Sequence, residues 1–146
     1  MINQLGMCSN FCVIKVFALC TFVGWIGSSL AIALGWSLLL VEPWQISLHL
    51  LLMPLVETLL FNYWFQQSIV QYGEDRQWSS RASQTLSIVA MAFAFMLAHV
   101  SLVGFWSVLW FFVGLSFGLL WLLSQKVWLV FLVHAYWNLM LWFQSI

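Results

Sequence analysis

The chain is 146 residues long, room for one domain, and it is 64% hydrophobic with only 5% charged residues. A soluble protein carries roughly 25% charged residues, so a water-soluble globule is excluded. Zero net charge without any basic run excludes nucleic acid as a partner. This composition predicts an all-α polytopic membrane helix bundle, one integral membrane domain over 1–146 with the lipid bilayer as its solvent.

Apolar runs of 18 or more residues predict five spans. The three cysteines come first, Cys8, Cys12 and Cys20. An odd count gives no disulfide framework. Their spacing sets them loosely on one helical face, which admits a metal cluster, but small apolar residues entering a membrane are the plainer and preferred reading. Lys15 is the one cation ahead of an apolar run that continues to Val41, and bulky Leu19 precedes Cys20 where a cleavage site wants a small residue. The first segment therefore reads as a retained helix, Phe11 to Val41, long enough to tilt or break near Gly35 and ended by Glu42-Pro43.

The second span runs from Trp44 to Gln71 and carries Glu57. Pro54 lacks a backbone N–H, so a kink is expected there, freeing the carbonyl of Leu50. A polar loop comes next, Tyr72 to Arg81. The third span covers Ala82 to Val100, the fourth Phe105 to Ser124 and the fifth Val127 to Phe143. There is no internal repeat. Arg76, Arg81, Lys126 and Lys15 fall on one side of this arrangement, so the positive-inside rule places the N-terminus in the cytoplasm and the C-terminus outside. A prokaryotic inner membrane is the expected location. Trp44, Trp78, Trp106, Trp128 and Trp142 lie near span ends, as interfacial anchors do.

Glu57 is the focus of the chain. A charge at bilayer depth costs about 2.5–3.5 kcal/mol on insertion scales, which makes an intramembrane acid a functional residue by default. Its possible companions are few. His49, near the start of the second span, reads as a neutral interfacial histidine. His99 closes the third span, and His134 lies inside the fifth with Asn138 four residues on, hence on the same helical face. Interhelical hydrogen bonds of about 0.6–2 kcal/mol would account for any one of these alone. Together, an acid, two imidazoles and a carboxamide on three helices can activate water against an amide. Glu57 with His99 takes a proton from bound water. His134 and Asn138 donate to the developing oxyanion, at roughly 2.7–4 kcal/mol per donor.

These residues resemble the CPBP family of intramembrane glutamic proteases, which includes CAAX prenyl endopeptidases and bacteriocin-processing enzymes. Its members show Glu-Glu-x-x-x-Arg, then Phe-x-x-x-His, then His-x-x-x-Asn or Asp, on separate helices. Glu57 matches the first glutamate, Phe95 and His99 the second motif, and His134 and Asn138 the third. Gly114, Gly118 and the run to Lys126-Val-Trp128 also resemble the family's glycine-bearing helix and turn. The resemblance covers Met53 to Met140. The first motif is degenerate, with Thr58 in place of the second glutamate and Asn62 in place of the arginine. At i,i+4 spacing those two neutral residues are expected to exchange a hydrogen bond in place of an ion pair.

The resemblance implies an endopeptidase that cleaves a membrane-associated peptide or protein near its terminus with glutamate-activated water. It requires no metal or organic cofactor. The alternative is a catalytically inactive relative acting as a membrane binding or immunity protein; a histidine-ligated haem protein is a third reading. The sequence sets neither the substrate nor the oligomeric state.

Rival proteolytic chemistries lack their residues. His-Glu-x-x-His is absent, and the single aspartate, Asp75, lies in the polar loop. Gly114-Leu-Ser-Phe-Gly118 has the form Gly-x-Ser-x-Gly, but a nucleophilic Ser116 would need a strand-to-helix turn that no strand here supplies. Glycines four apart in a membrane helix mark close packing. One geometric demand remains. His99 sits at the end of its span while Glu57 and His134 are deep, so Ser101 to Gly104 is expected to dip into the bundle, with the site open to the non-cytoplasmic face.

Overall fold

The computed structural model describes residues 10–33 and 43–144. Gly35, Glu42 and Cys8 lie outside the described residues. Five helical segments, with no strand among the described residues, make the all-α bundle: α1 (Asn10–Ala33), α2 (43–75), α3 (Ser80–Val103), α4 (Val108–Ser124) and α5 (Val127–Gln144). Trp44–Asp75 and Ser80–Val100 are long and apolar enough to cross a membrane, and Val108–Ser124 and Val127–Phe143 are shorter apolar helices. Rows of large apolar side chains face outward, among them Leu51, Leu55, Leu59 and Trp64 on α2 and Leu86, Val89, Phe93 and Leu97 on α3. An uninterrupted apolar exterior of this kind suits lipid and not water. This is a membrane helix bundle. Trp44, Trp78 and Trp128 are exposed at or beside helix ends, where interfacial tryptophans belong.

The connections are short because the chain signals its own turns. At the end of α2, Trp78 N–H reaches Gly73 O at 2.9 Å and Arg76 N–H reaches Tyr72 O at 3.1 Å, with Gln77 at φ 59°. Gly73 is needed here, since a Cβ would collide with the Ser83 hydroxyl of the returning helix. Ser79 then caps α3, its extended backbone leaving Oγ free to accept from Ala82 N–H at 3.2 Å. The polar loop is consequently shorter than its composition suggests, because α2 stays helical through Asp75. At the other end of the bundle α3 continues through Val103 and closes with a 3₁₀ turn, Gly104–Ser107, in which Gly104 takes φ +58°. Where a dip is expected, Ser101 to Val103 are helical, and the chain then turns tightly, with Gly104 N–H bonded to Val100 O. Gln125 ends α4 in the left-handed region at φ 53°. Its backbone N–H donates to Trp121 O at 2.8 Å, and its side-chain amide donates to Leu122 O at 3.1 Å and, more weakly, to Trp121 O at 3.4 Å.

Helices α3 and α4 form an antiparallel hairpin held by two glycines. A Cβ on Gly114 would lie 2.7 Å from Ala92 Cα, and one on Gly118 would lie 2.7 Å from Met91 Cε. The expected close-packing face is therefore where the spacing put it. Helix α1 packs on α4 and α5, and α2 lies against α3, α4 and α5. Cys20 is buried at the first of these junctions: its Sγ lies 3.6 Å from Ser116 O, and Trp137 Nε1–H donates to its carbonyl at 3.0 Å. The core comprises Met91, Phe95, Phe117, Leu120, Trp121, Val130, Val133 and Trp137.

Candidate active site

Helix α2 carries the acid on an unusual backbone. Two π-helical stretches, Leu48–Leu52 and Thr58–Gln66, flank a short α-helical turn, Met53–Glu57, and Glu57 ends that turn. The i→i−5 register is rare and frequent at functional sites. Its first instance accommodates Pro54, which is buried. Met53 N–H bonds to Leu48 O, five residues back. In that register the donor matching His49 O would be residue 54, which as proline has none. The π turn therefore leaves the carbonyl of His49 without a backbone donor, one residue before the Leu50 carbonyl that the α-helical register frees.

Helix α5 grips α2 at two points one of its own turns apart. His134 Nε2 lies 3.4 Å from Glu57 Oε2, with side chains 6% and 18% exposed. Asn138 Nδ2–H donates to His49 O at 2.8 Å. The acid-to-imidazole separation exceeds the 2.7–2.9 Å of a tight charge-assisted bond, as catalytic pairs often do before substrate binds. His134 Nδ1 has no hydrogen-bond partner. A neutral ring with its proton on Nε2 turns that N–H toward the carboxylate and leaves Nδ1 a bare acceptor.

His99 enters from α3 on the same aromatic support. The buried ring of Phe95 stands 4.5 Å from the His99 ring and 5.7 Å from the His134 ring, and it meets Phe61 edge-on at 5.4 Å. His134 is backed by Phe117 at 4.8 Å and His99 by Trp110 at 5.6 Å. The His99 Nδ1 atom is engaged with Phe95 O at 2.8 Å, which directs Nε2 away from its own helix. The sequence pairs Glu57 with His99; the structure sets His134 beside the carboxylate. Position decides this, because α5 lies directly against the Met53–Glu57 turn.

The two positions of the degenerate motif are buried, but they do not bond to each other. Asn62 Nδ2–H donates forward to Gln66 Oε1 at 3.3 Å and also lies 3.9 Å from Met91 Sδ. Gln66, fully buried, donates from Nε2 to Gly118 O at 3.0 Å. Thr58 Oγ1 has no partner. The expected Thr58–Asn62 bond is corrected to an Asn62–Gln66–Gly118 ladder, because two amides reach each other and a carbonyl on α4. Sequence reasoning gives Gln66 no role. The signal that could have found it is a polar residue every fourth position, Thr58, Asn62 and Gln66, continuing from Pro54. Ser116 lies within unbroken helix and bonds to Val113 O at 2.7 Å, so the strained turn of a serine hydrolase is not formed.

A family model described as type II CAAX prenyl endopeptidase Rce1-like matches residues 39–140, more than two thirds of the chain. The chain belongs to that family. No curated protein and no solved structure matched it. The matched stretch of this Rce1-like protein contains Glu57, Phe95, His99, His134 and Asn138 together with Thr58, Asn62 and Gln66.

Proposed function

We propose that this Rce1-like protein is an intramembrane endopeptidase that cleaves a membrane-associated peptide or protein near its terminus with glutamate-activated water. The observation that supports this best is Glu57 Oε2 at 3.4 Å from His134 Nε2, between two apolar helices. Glu57 takes a proton from water as the water oxygen attacks the scissile carbonyl. His134 then donates from Nε2, first to the carboxylate and next to the charge developing beside it. His99, whose Nδ1–H donates to Phe95 O, presents Nε2 as an acceptor that orients the attacking water. As the tetrahedral intermediate collapses, the C–N bond breaks and Glu57 returns its proton to the leaving amine. The family's printed name makes a prenylated peptide the first substrate to try. The N-terminus is assigned to the cytoplasm and the site to the opposite face of a prokaryotic inner membrane, on the positive-inside bias of Arg76, Arg81 and Lys126.

The neutral Thr58 and Asn62 favour a second reading, a silent relative that binds a membrane peptide without cleaving it. One experiment separates the two: purified protein in lipid is given prenylated and unprenylated terminal peptides, and products are read by mass spectrometry. Cleavage by wild type and by Ser116→Ala, lost in Glu57→Gln, is the expected result. Cleavage that survives Glu57→Gln would falsify the glutamate mechanism. Binding without any cleavage would establish the silent reading.

A further inference from the structure

The carbonyl that Pro54 leaves without a donor is the one that Asn138 takes. Met53 N–H has gone to Leu48 O in the widened turn, residue 54 has no N–H to give, and Asn138 Nδ2 stands 2.8 Å from His49 O. A backbone carbonyl at membrane depth must find an internal partner. Here the partner is a side chain on the same helix face as His134, one turn on. We infer that Asn138 is a positioning residue: its amide clamps α5 to the π turn of α2 and so fixes the Met53–Glu57 turn, and with it the carboxylate, against His134. The catalytic consequence rests on the proposed endopeptidase reading; the clamp itself does not. An oxyanion role alone predicts no dependence on Pro54, whereas a clamp does.

The test is a double-mutant cycle of Asn138→Ala and Pro54→Ala in lipid, read by thermal unfolding and by kcat and KM on a cleaved peptide. An alanine at 54 restores an N–H, and His49 O then has a backbone donor in either register, residue 54 in the π turn or Met53 in the α turn. Asn138→Ala is expected to lower the unfolding temperature by about 4 °C. It should also lower kcat up to about a hundredfold with KM little changed, as a misplaced reacting group does. Pro54→Ala in that background should recover most of both losses. Losses that simply add, or a recovered melting temperature with kcat still down, would overturn the positioning role. If Asn138→Ala does not accumulate, accumulation of the double variant is the same rescue, and its absence the same refutation. If wild type cleaves nothing, the endopeptidase reading fails, while the thermal cycle still decides the clamp.

Discussion

Helix α2 treats buried polarity in two different ways, and the boundary falls between Thr58 and Asn62. On the far side Asn62 and Gln66 are committed to each other and to Gly118 O, at 3.3 and 3.0 Å, deep against α3 and α4. On the near side Glu57 stands 3.4 Å from His134, and both Thr58 Oγ1 and His134 Nδ1 are buried without a partner. Closed hydrogen bonds between close-packed helices are how a bundle holds together in lipid. Loose, under-satisfied polar groups raise the free energy of the folded state, and they persist where a substrate or a reaction makes use of them. One helix therefore contains a joint and a candidate site within three turns. Their difference in hydrogen bonding is the mark that separates them.

The largest expected effect tests the loose half. Glu57→Gln removes the base at nearly constant volume, so proteolysis should fall roughly 10²–10⁴-fold. The melting temperature should hold or rise, since the variant no longer desolvates a carboxylate. Ser116→Ala, which breaks a hydrogen bond to its own helix, should leave most activity. A variant that lost activity only by unfolding would place Glu57 in the joint and erase the distinction.

The joint is probed next through its two glycines, which differ in what a methyl would meet. At Gly114 the neighbour is Ala92 backbone at 2.7 Å; at Gly118 it is the flexible end of Met91 at the same distance. Gly114→Ala should destabilise by about 1–3 kcal/mol and separate α3 from α4, whereas Gly118→Ala should cost less because Met91 can turn away. Thermal unfolding in lipid reads both. Equal losses would mean that the hairpin yields as readily at backbone as at side chain.

Gln66→Leu strips the ladder of its central amide, leaving Asn62 with only the Met91 sulfur and removing the side-chain bond to Gly118 O. A loss of about 1–2 kcal/mol is expected, with kcat per folded molecule nearly unchanged because the reacting pair lies on the other side of the boundary. A drop in kcat at full stability would show that the joint and the site are coupled.

Much of this division is legible in the residues. The helix count and the last three spans come from the apolar runs, and the meeting of Glu57 with His134 from polar residues standing in them, which lipid forbids unless they face inward. The glycine contact comes from spacing. The register of α2 is not legible. An i→i−4 helix through Pro54 orphans Leu50, whereas the π turn orphans His49, and nothing local in Leu48 to Leu52 announces the wider turn. The same shift governs the face. Pro54, Thr58, Asn62 and Gln66 are all buried at a strict fourth-residue spacing; a straight α-helix of 3.6 residues per turn would rotate that stripe steadily away from α4, and π-helical turns bring it back. In an α-helical register Gln66 is only the polar fringe of a span, and Thr58 pairs with Asn62 because i,i+4 neighbours ordinarily meet. Which imidazole stands beside the acid is a matter of helix packing, invisible to motif order.

The smallest expected effect is the sharpest on where the boundary lies. Thr58 is buried with its hydroxyl unpartnered. Valine has the same branched shape, so Thr58→Val deletes the polar atom and little else. If that hydroxyl only bears a desolvation penalty, its removal should stabilise the fold. The gain should be small, about 0.5–1 kcal/mol, because polar groups in membrane bundles average about 0.6 kcal/mol when measured by mutation. Thermal unfolding of Thr58→Val beside Asn62→Val then compares neighbours one turn apart: the first should rise slightly, and the second should fall as Gln66 Oε1 loses its donor. Adding a substrate-bound measurement separates an idle hydroxyl from a working one. A working hydroxyl would bond to substrate or to water at Glu57, so Thr58→Val would gain stability in the free protein and lose kcat or raise KM. A fall in melting temperature for Thr58→Val would instead show that this hydroxyl is bonded in the membrane. Thr58 would then belong to the joint, and the loose half of α2 would shrink to Glu57 and the helix it faces.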